Sequence, residues 1–334
     1  AMLNVKYLIS KNLPLDDPDF VQVDRQGNSY LYESRYPLSI GYMAGNEIRT
    51  WDTHSGNPFE VLNSYVRSAT SNRYDSVFES AGKPQLYTAN IKAENSGSGK
   101  VSTQTEDQSK KSEVVMRYKA TATQKYYVFV EADNADEIIA NENIEDLDEI
   151  QIRSDCGSIV NIGTVSEGEE FTVTVKFDAG DAGDITCHVC SLDYEVWDGA
   201  YAMLSEHMMK VTDSGDRFIR GTVDAGDGGM LVTSVPYERG WTLKVDGIEK
   251  EIHEKTGGVF ISTALDAGEH EIELSFTPPG IIAGSIATFI SILILAAYTI
   301  LRKRRLMKLR ARLVSTLSES AVSQQEVSDC NKTL

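Results

Sequence analysis

Apolar and polar residues alternate with a period of two over most of residues 113–277. Such alternation puts one face of each strand in a core and the other in water. Residues 126–131, 171–177, 185–192, 229–235, 241–245, 259–263 and 270–276 read as strands on this ground, with Gly- and Asp-bearing turns at 246–247, 257–258 and 266–268. Two further strands are predicted at 85–91 and 113–119, and Gly27 between two alternating runs marks a hairpin over 20–34. The period changes to that of a helix in three places. Asn57 stands as an N-cap before Pro58, Glu60 completes a capping box, and Phe59, Leu62 and Val66 recur at helical spacing, so 58–68 is predicted helical. Trp197, Tyr201, Leu204 and Met208 mark one face of a helix over 195–210, which should cover the sheet. The third place is 280–301, 22 residues without a charge. At about 1.5 Å per residue it reaches roughly 33 Å, enough to cross a hydrocarbon core of about 30 Å.

These patterns predict a mainly β chain with some α. An N-terminal α+β region takes residues 1–84 and a β-sandwich takes 85–277. Then come a transmembrane helix over 280–301 and a basic tail over 302–334. Residues 92–112 are rich in Ser, Gly, Thr and charge, and read as a flexible loop inside the sandwich. In the tail, Leu306, Leu309, Leu313 and Leu317 repeat among seven Lys/Arg, as in a basic amphipathic helix on an anionic leaflet; beyond about 318 the chain reads as disordered.

Charge orients this layout. Arg302, Lys303, Arg304 and Arg305 follow the apolar run at once and put the tail on the cytoplasmic side of a membrane, with residues 1–279 extracytoplasmic. The whole chain carries −18, yet residues 302–334 hold eight Lys/Arg against three Asp/Glu. The remainder is therefore strongly acidic. That argues against nucleic acid, and against a polyanion lying along it unless a local basic patch intervenes. Residues 1–9 open directly into a strand, so the sequence is read as the C-terminal part of a longer chain whose upstream membrane helices deliver it across.

Candidate chemistry is sparse. Cys330 falls in the tail and should stay reduced; a Cys156–Cys187 or Cys156–Cys190 disulfide is open. Cys187 and Cys190 have C-x-x-C spacing, but on a strand positions three apart face opposite sides, which disfavours a redox or metal pair. The histidines, His54, His188, His207, His253 and His270, are scattered without ligand spacing. Asp178, Asp181 and Asp184 lack a calcium loop and read as a hairpin turn. Neither metal nor cofactor is expected. The segment 234–247 carries most: a strand ends at Pro236, turns at Gly240, re-enters at Trp241 and turns again at Asp246-Gly247. Trp241 reads as a packing residue, and Tyr237 and Trp241 are also the candidates for stacking on a sugar ring.

This segment also carries a resemblance. Pro236-Tyr237-Glu-Arg-Gly240-Trp241, Val245-Asp246-Gly247, Leu265-Asp-Ala-Gly268-Glu-His270 and Phe276-Thr-Pro278-Pro279-Gly280 before a terminal membrane helix resemble the C-terminal end of the bacterial YfhO family. Leu3-Asn4-Val5-Lys6-Tyr7, Tyr32-Glu33-Ser34 with Pro37-Leu38, and Asn57-Pro58-Phe59 resemble its earlier blocks. The resemblance implies a polytopic membrane protein similar to GT-C type glycosyltransferases, which use lipid-phosphate-linked sugars, some tied to teichoic acid glycosylation in the cell envelope. The catalytic acid of such enzymes lies in an early loop that has no counterpart here, so no catalytic residue is assigned. The implied role is recognition of an acceptor, such as a cell-envelope glycopolymer, or support of the upstream membrane domain. The alternatives are a membrane-anchored carbohydrate-binding or adhesion module without an enzymatic parent, and a sensor ectodomain.

Overall fold

The computed structural model describes residues 5–15, 17–51, 53–142, 144–145, 147–153, 157–252 and 259–330. They fall into two compact units, Ala1–Ser275 and Phe276–Leu334. The first contains β1 (Tyr7–Lys11), β2 (Phe20–Gln26), β3 (Ser29–Ser34), β4 (Gly41–Ala44) and helix α1 (Pro58–Ala69). Eleven strands follow: β5 (Phe78–Ser80), β6 (Gln85–Ala89), β7 (Ile91–Gly97), β8 (Lys100–Thr105), β9 (Ser112–Lys119), β10 (Gln124–Ala132), β11 (Glu137–Ala140), β12 (Ile150–Ile152), β13 (Val160–Val165), β14 (Glu170–Phe177) and β15 (Ile185–Leu192). After helix α2 (Tyr194–Glu206) come β16 (Lys210–Gly215), β17 (Phe218–Asp224), β18 (Gly229–Pro236), β19 (Trp241–Val245), β20 (Ile248–Lys250), β21 (Phe260–Leu265) and β22 (Glu269–Phe276).

The mainly β expectation holds, but two sandwiches share the work. In the first, sheet β13-β10-β15-β8-β7, with β5 also on β15, faces sheet β12-β11-β14-β9-β6. Their inward side chains, among them Tyr126, Val128, Ile185, Met116, Phe171 and Val175, form one core. In the second, sheet β16-β17-β22-β19-β20 faces the three strands β21-β18-β4 over Leu231, Ile261, Leu243, Val245 and Ile272. The other face of β21-β18-β4 is covered by α1 and α2, with Tyr42, Met230, Val232 and Phe260 meeting Tyr65, Val66, Ala200 and Leu204. A separate sheet, β1-β3-β2, carries the predicted hairpin at Gly27.

Several expectations are corrected. Most of residues 92–112 is not a loop: β7 and β8 form a hairpin closed by Ser98 and Gly99, both at positive φ, as a type I′ turn requires, and only 106–111 connect it to β9. Its polarity reflects exposure, since few of its side chains face the core. A division at residue 84 does not separate the sheets, because β4 pairs with β18 and β5 with β15. The stretch between Asp178 and Asp184 is no hairpin turn, for β14 and β15 belong to opposite sheets of the first sandwich. The capping box is half formed: Asn57 Oδ1 accepts from Phe59 N at 3.0 Å, but Asn57 N–H goes to Ser55 Oγ and Glu60 lies 3.5 Å from Arg67.

The second unit is helix α3 (Ile281–Cys330). Within it Ile281–Thr316 is long and apolar enough to cross a membrane. Arg302, Lys303, Arg304 and Arg305 do not interrupt it. The stretch beyond 318, expected to be disordered, continues the same helix to Cys330.

Candidate functional site

Within the first unit, an aromatic-walled cavity of about 300 Å3 lies beside β2, β3, α1 and α2. Tyr36 and Trp197 meet edge to face at 5.6 Å, and Tyr36 and Tyr201 at 5.2 Å. Leu38, Val66 and Leu204 give the lining apolar surface, while Asp19 and Ser34 add polar residues to it. Helix α2 presents Trp197 because Asp193 caps its first turn, accepting from Glu195 N and Val196 N at 2.9 and 3.1 Å. Tyr201 Oη donates to Pro37 O at 3.1 Å, and Tyr36 Oη to Asp198 Oδ1 at 2.7 Å. Burial first, and the Asp198 carboxylate next, push the Tyr36 phenol up to about 12, so it stays a neutral donor. On the far side of the cavity Asn63 on α1 fixes β5: its amide donates to Phe78 O and accepts from Val77 N and Phe78 N.

Asp19 is held by a buried cation. Lys125 on β10 is 5% exposed at its side chain and reaches Asp17 at 2.5 Å and Asp19 at 2.9 Å. Tyr194 Oη donates to the same Asp19 carboxylate at 3.0 Å. Burial opposes the Lys125 charge, but hydrogen bonds to Asp17 and Asp19 outweigh it and hold its pKa above the ordinary value. The cluster thus ties the segment before β2 to the first sandwich and orients the cavity's carboxylate.

The residues singled out in the sequence lie elsewhere. Tyr237 and Trp241 are half-buried against the core of the second sandwich, and neither lines the aromatic cavity. The motif blocks around them do meet: His270 Nδ1 lies 2.8 Å from Asp246 Oδ2, and Asp246 Oδ1 accepts from Glu271 N at 2.9 Å. The Asp246 hydrogen bond raises the His270 pKa. Arg302, Lys303, Arg304 and Arg305 are exposed on α3. Among the described residues no cluster of three or more His, Cys, Asp or Glu is placed to hold a metal. Asp178 instead pairs with Lys111 at 2.7 Å.

Cys187 and Cys190 are free and buried on opposite faces of β15, Cys187 in the first sandwich core and Cys190 beside Phe59 and Phe129. Cys156 and His253 lie outside the described residues. Burial pushes both described thiols up to about 12 from an ordinary 9.0. The fold favours the neutral thiol, so this contribution is present in full below pH 9.0 and is lost as pH rises toward 12. A series of melts should show this contribution flat up to about pH 9.0 and falling above it, with Cys187 and Cys190 unreactive to maleimide at neutral pH.

The model of the bacterial membrane protein YfhO matches residues 1–288. The chain belongs to the YfhO family. A Bacillus subtilis (strain 168) relative, described as an uncharacterized protein YfhO, is 36% identical over 74 residues, which is 22% of this chain and 8% of that protein. Among solved structures, a Ruminococcus gnavus β-glucuronidase is similar at 8% identity and a TM-score of 0.20, over 60% of this chain and 41% of that one. The same organism's enzyme with D-glucuronic acid gives 8% and 0.20, over 62% and 42%. At that TM-score neither bears on this chain. This YfhO-family chain is a membrane protein with a β-rich unit and a C-terminal helix of spanning length.

Proposed function

We propose that this chain is the non-catalytic, extracytoplasmic C-terminal part of a GT-C-like membrane glycosyltransferase of the cell envelope, and that its aromatic cavity recognises the saccharide acceptor. The observation that carries the reading is the pairing of Tyr36 and Trp197, with Tyr201 packed against Tyr36, on a cavity lined by Tyr36, Trp197 and Asp19. Aromatic faces take the apolar side of a sugar ring, and a fixed carboxylate accepts from its hydroxyls. The family and the spanning helix support a membrane setting, and the Arg302–Arg305 cluster supports a cytoplasmic tail. In the competing reading, structural support of an upstream membrane domain, the cavity needs no ligand.

Isothermal titration of the full chain in non-ionic detergent with cell-envelope oligosaccharides tests the reading. Saturable binding is expected, weakened roughly tenfold or more in Trp197→Ala, since truncating a buried aromatic anchor commonly costs about 2 kcal/mol. Heat of binding absent across the panel would leave the supporting role.

A further inference from the structure

A second cavity, of about 600 Å3, lies in the first unit where the edge of β15 changes partner. β8 pairs with β15 at Ile185 and Thr186, and β5 pairs with it at Cys190 to Leu192. Between these pairings Cys187 N donates to Gly99 O at 2.7 Å and Ala81 N to Val189 O at 2.9 Å. The cavity sits against this stretch, between the β7–β8 turn, the loop after β5 and the chain leading into α1.

Its charge is opposite to that of the unit around it. Lys83 and Lys100 line it and, among the described residues, no Asp or Glu does. Neither ammonium group has an ion pair or hydrogen bond among the described residues. Donors surround them: the hydroxyls of Ser55, Ser80 and Ser98, and the half-buried His188 imidazole, which stacks on Phe129 at 6.3 Å. Burial lowers the His188 pKa and keeps the ring neutral, a hydrogen-bonding group rather than a third charge. The turn is built for close approach, because a Cβ on Gly99 would stand 2.6 Å from His188 Cε1 and 2.7 Å from Cys187 O. Gly99 also has φ +76°, which side-chain-bearing residues rarely adopt.

Two unpaired ammonium groups among hydroxyl donors suit a tetrahedral anion with several acceptor oxygens. The volume far exceeds that of a lone oxyanion, so the anion belongs to a larger polar ligand. We propose that this cavity is a second ligand site, one that binds the phosphate of a phosphomonoester or phosphodiester through Lys83 and Lys100. It is the local basic patch that lets a strongly acidic surface engage an anionic molecule. The inference does not depend on saccharide binding at the aromatic cavity.

The full chain in non-ionic detergent is titrated with inorganic phosphate and glycerol phosphate, followed by phosphorus NMR line broadening, and separately with short-chain phosphatidylglycerol below its micellar concentration. Saturable binding is expected, roughly tenfold weaker in the Lys83→Gln, Lys100→Gln double variant, the loss that follows from removing about 1.4 kcal/mol of charge-assisted hydrogen bonding. Both lysines are exposed, so the double variant should melt as the parent does. Trp197→Ala should bind phosphate normally, which separates failure here from failure of the saccharide reading. Binding of the soluble esters assigns a soluble ligand; binding of the lipid alone assigns a headgroup. Absence of saturable binding in both arms, or equal binding by the double variant, overturns the proposal.

Discussion

Lys125→Ala is expected to destabilise the first unit by about 3–5 kcal/mol, the usual cost of removing one partner from a buried charge cluster. The ammonium is almost wholly enclosed and answers two carboxylates, Asp17 and Asp19, whose side chains are only 17% and 20% exposed. Without it these carboxylates face each other with little water to screen them, and among the described residues only Tyr194 still donates to the Asp19 carboxylate. At about 2–4 °C per kcal/mol, the melting temperature of the full chain in detergent should fall by roughly 10 °C. Neutralising the acids as well, with Asp17→Asn and Asp19→Asn beside Lys125→Met, should recover part of the loss, because the cost lies in unpaired charge rather than in the absent pair. A fall of less than about 1 kcal/mol for Lys125→Ala would place the cluster among surface ion pairs of small value.

Phe171→Ala carries a comparable penalty for an unrelated reason. Phe171 is 0% exposed in the first sandwich, stacked on Tyr118 at 5.5 Å and tilted against Tyr126 at 4.9 Å. Truncation removes the ring from both contacts and leaves a void between two sheets whose backbones are fixed by their ladders, so collapse is limited. The expected cost is about 3–5 kcal/mol, and Phe171→Leu, which keeps most of the apolar volume, should cost less than half of that. Chemical denaturation distinguishes the two; equal losses would mean that the site relaxes to fill the gap.

Most strands of both sandwiches were legible where apolar residues recur, whereas β11, β12, β13, β16 and β17 were not. β14 alternates cleanly in sequence and β9 in burial because their inward residues build one core. α1 was legible at its start because Asn57 and Pro58 act locally. The β7–β8 hairpin was not, since of its residues only Ile91 and Val101 are fully buried and the rest read as linker. The path from Asp178 to Asp184 misled for a different reason: a hairpin turn and a crossover between facing sheets use the same Gly and Asp residues, and only the partner strands tell them apart. The aromatic cavity was beyond reach of any local pattern. Its Tyr36–Asp198 bond joins residues 162 apart and Tyr194–Asp19 joins residues 175 apart. Trp197 and Tyr201 were visible, but as the core face of a helix. The conspicuous Tyr237 and Trp241 flank the turn between β18 and β19 of the second sandwich, where His270 and Asp246 also meet.

Hydroxyl-radical footprinting of the full chain, with and without a saturating envelope oligosaccharide, bears most directly on acceptor recognition by the aromatic cavity. Trp197 and Tyr36 should be protected from oxidation while Trp241 and Tyr237 are oxidised equally in both samples. Unchanged oxidation at Trp197 and Tyr36, or protection confined to Trp241 and Tyr237, would contradict it.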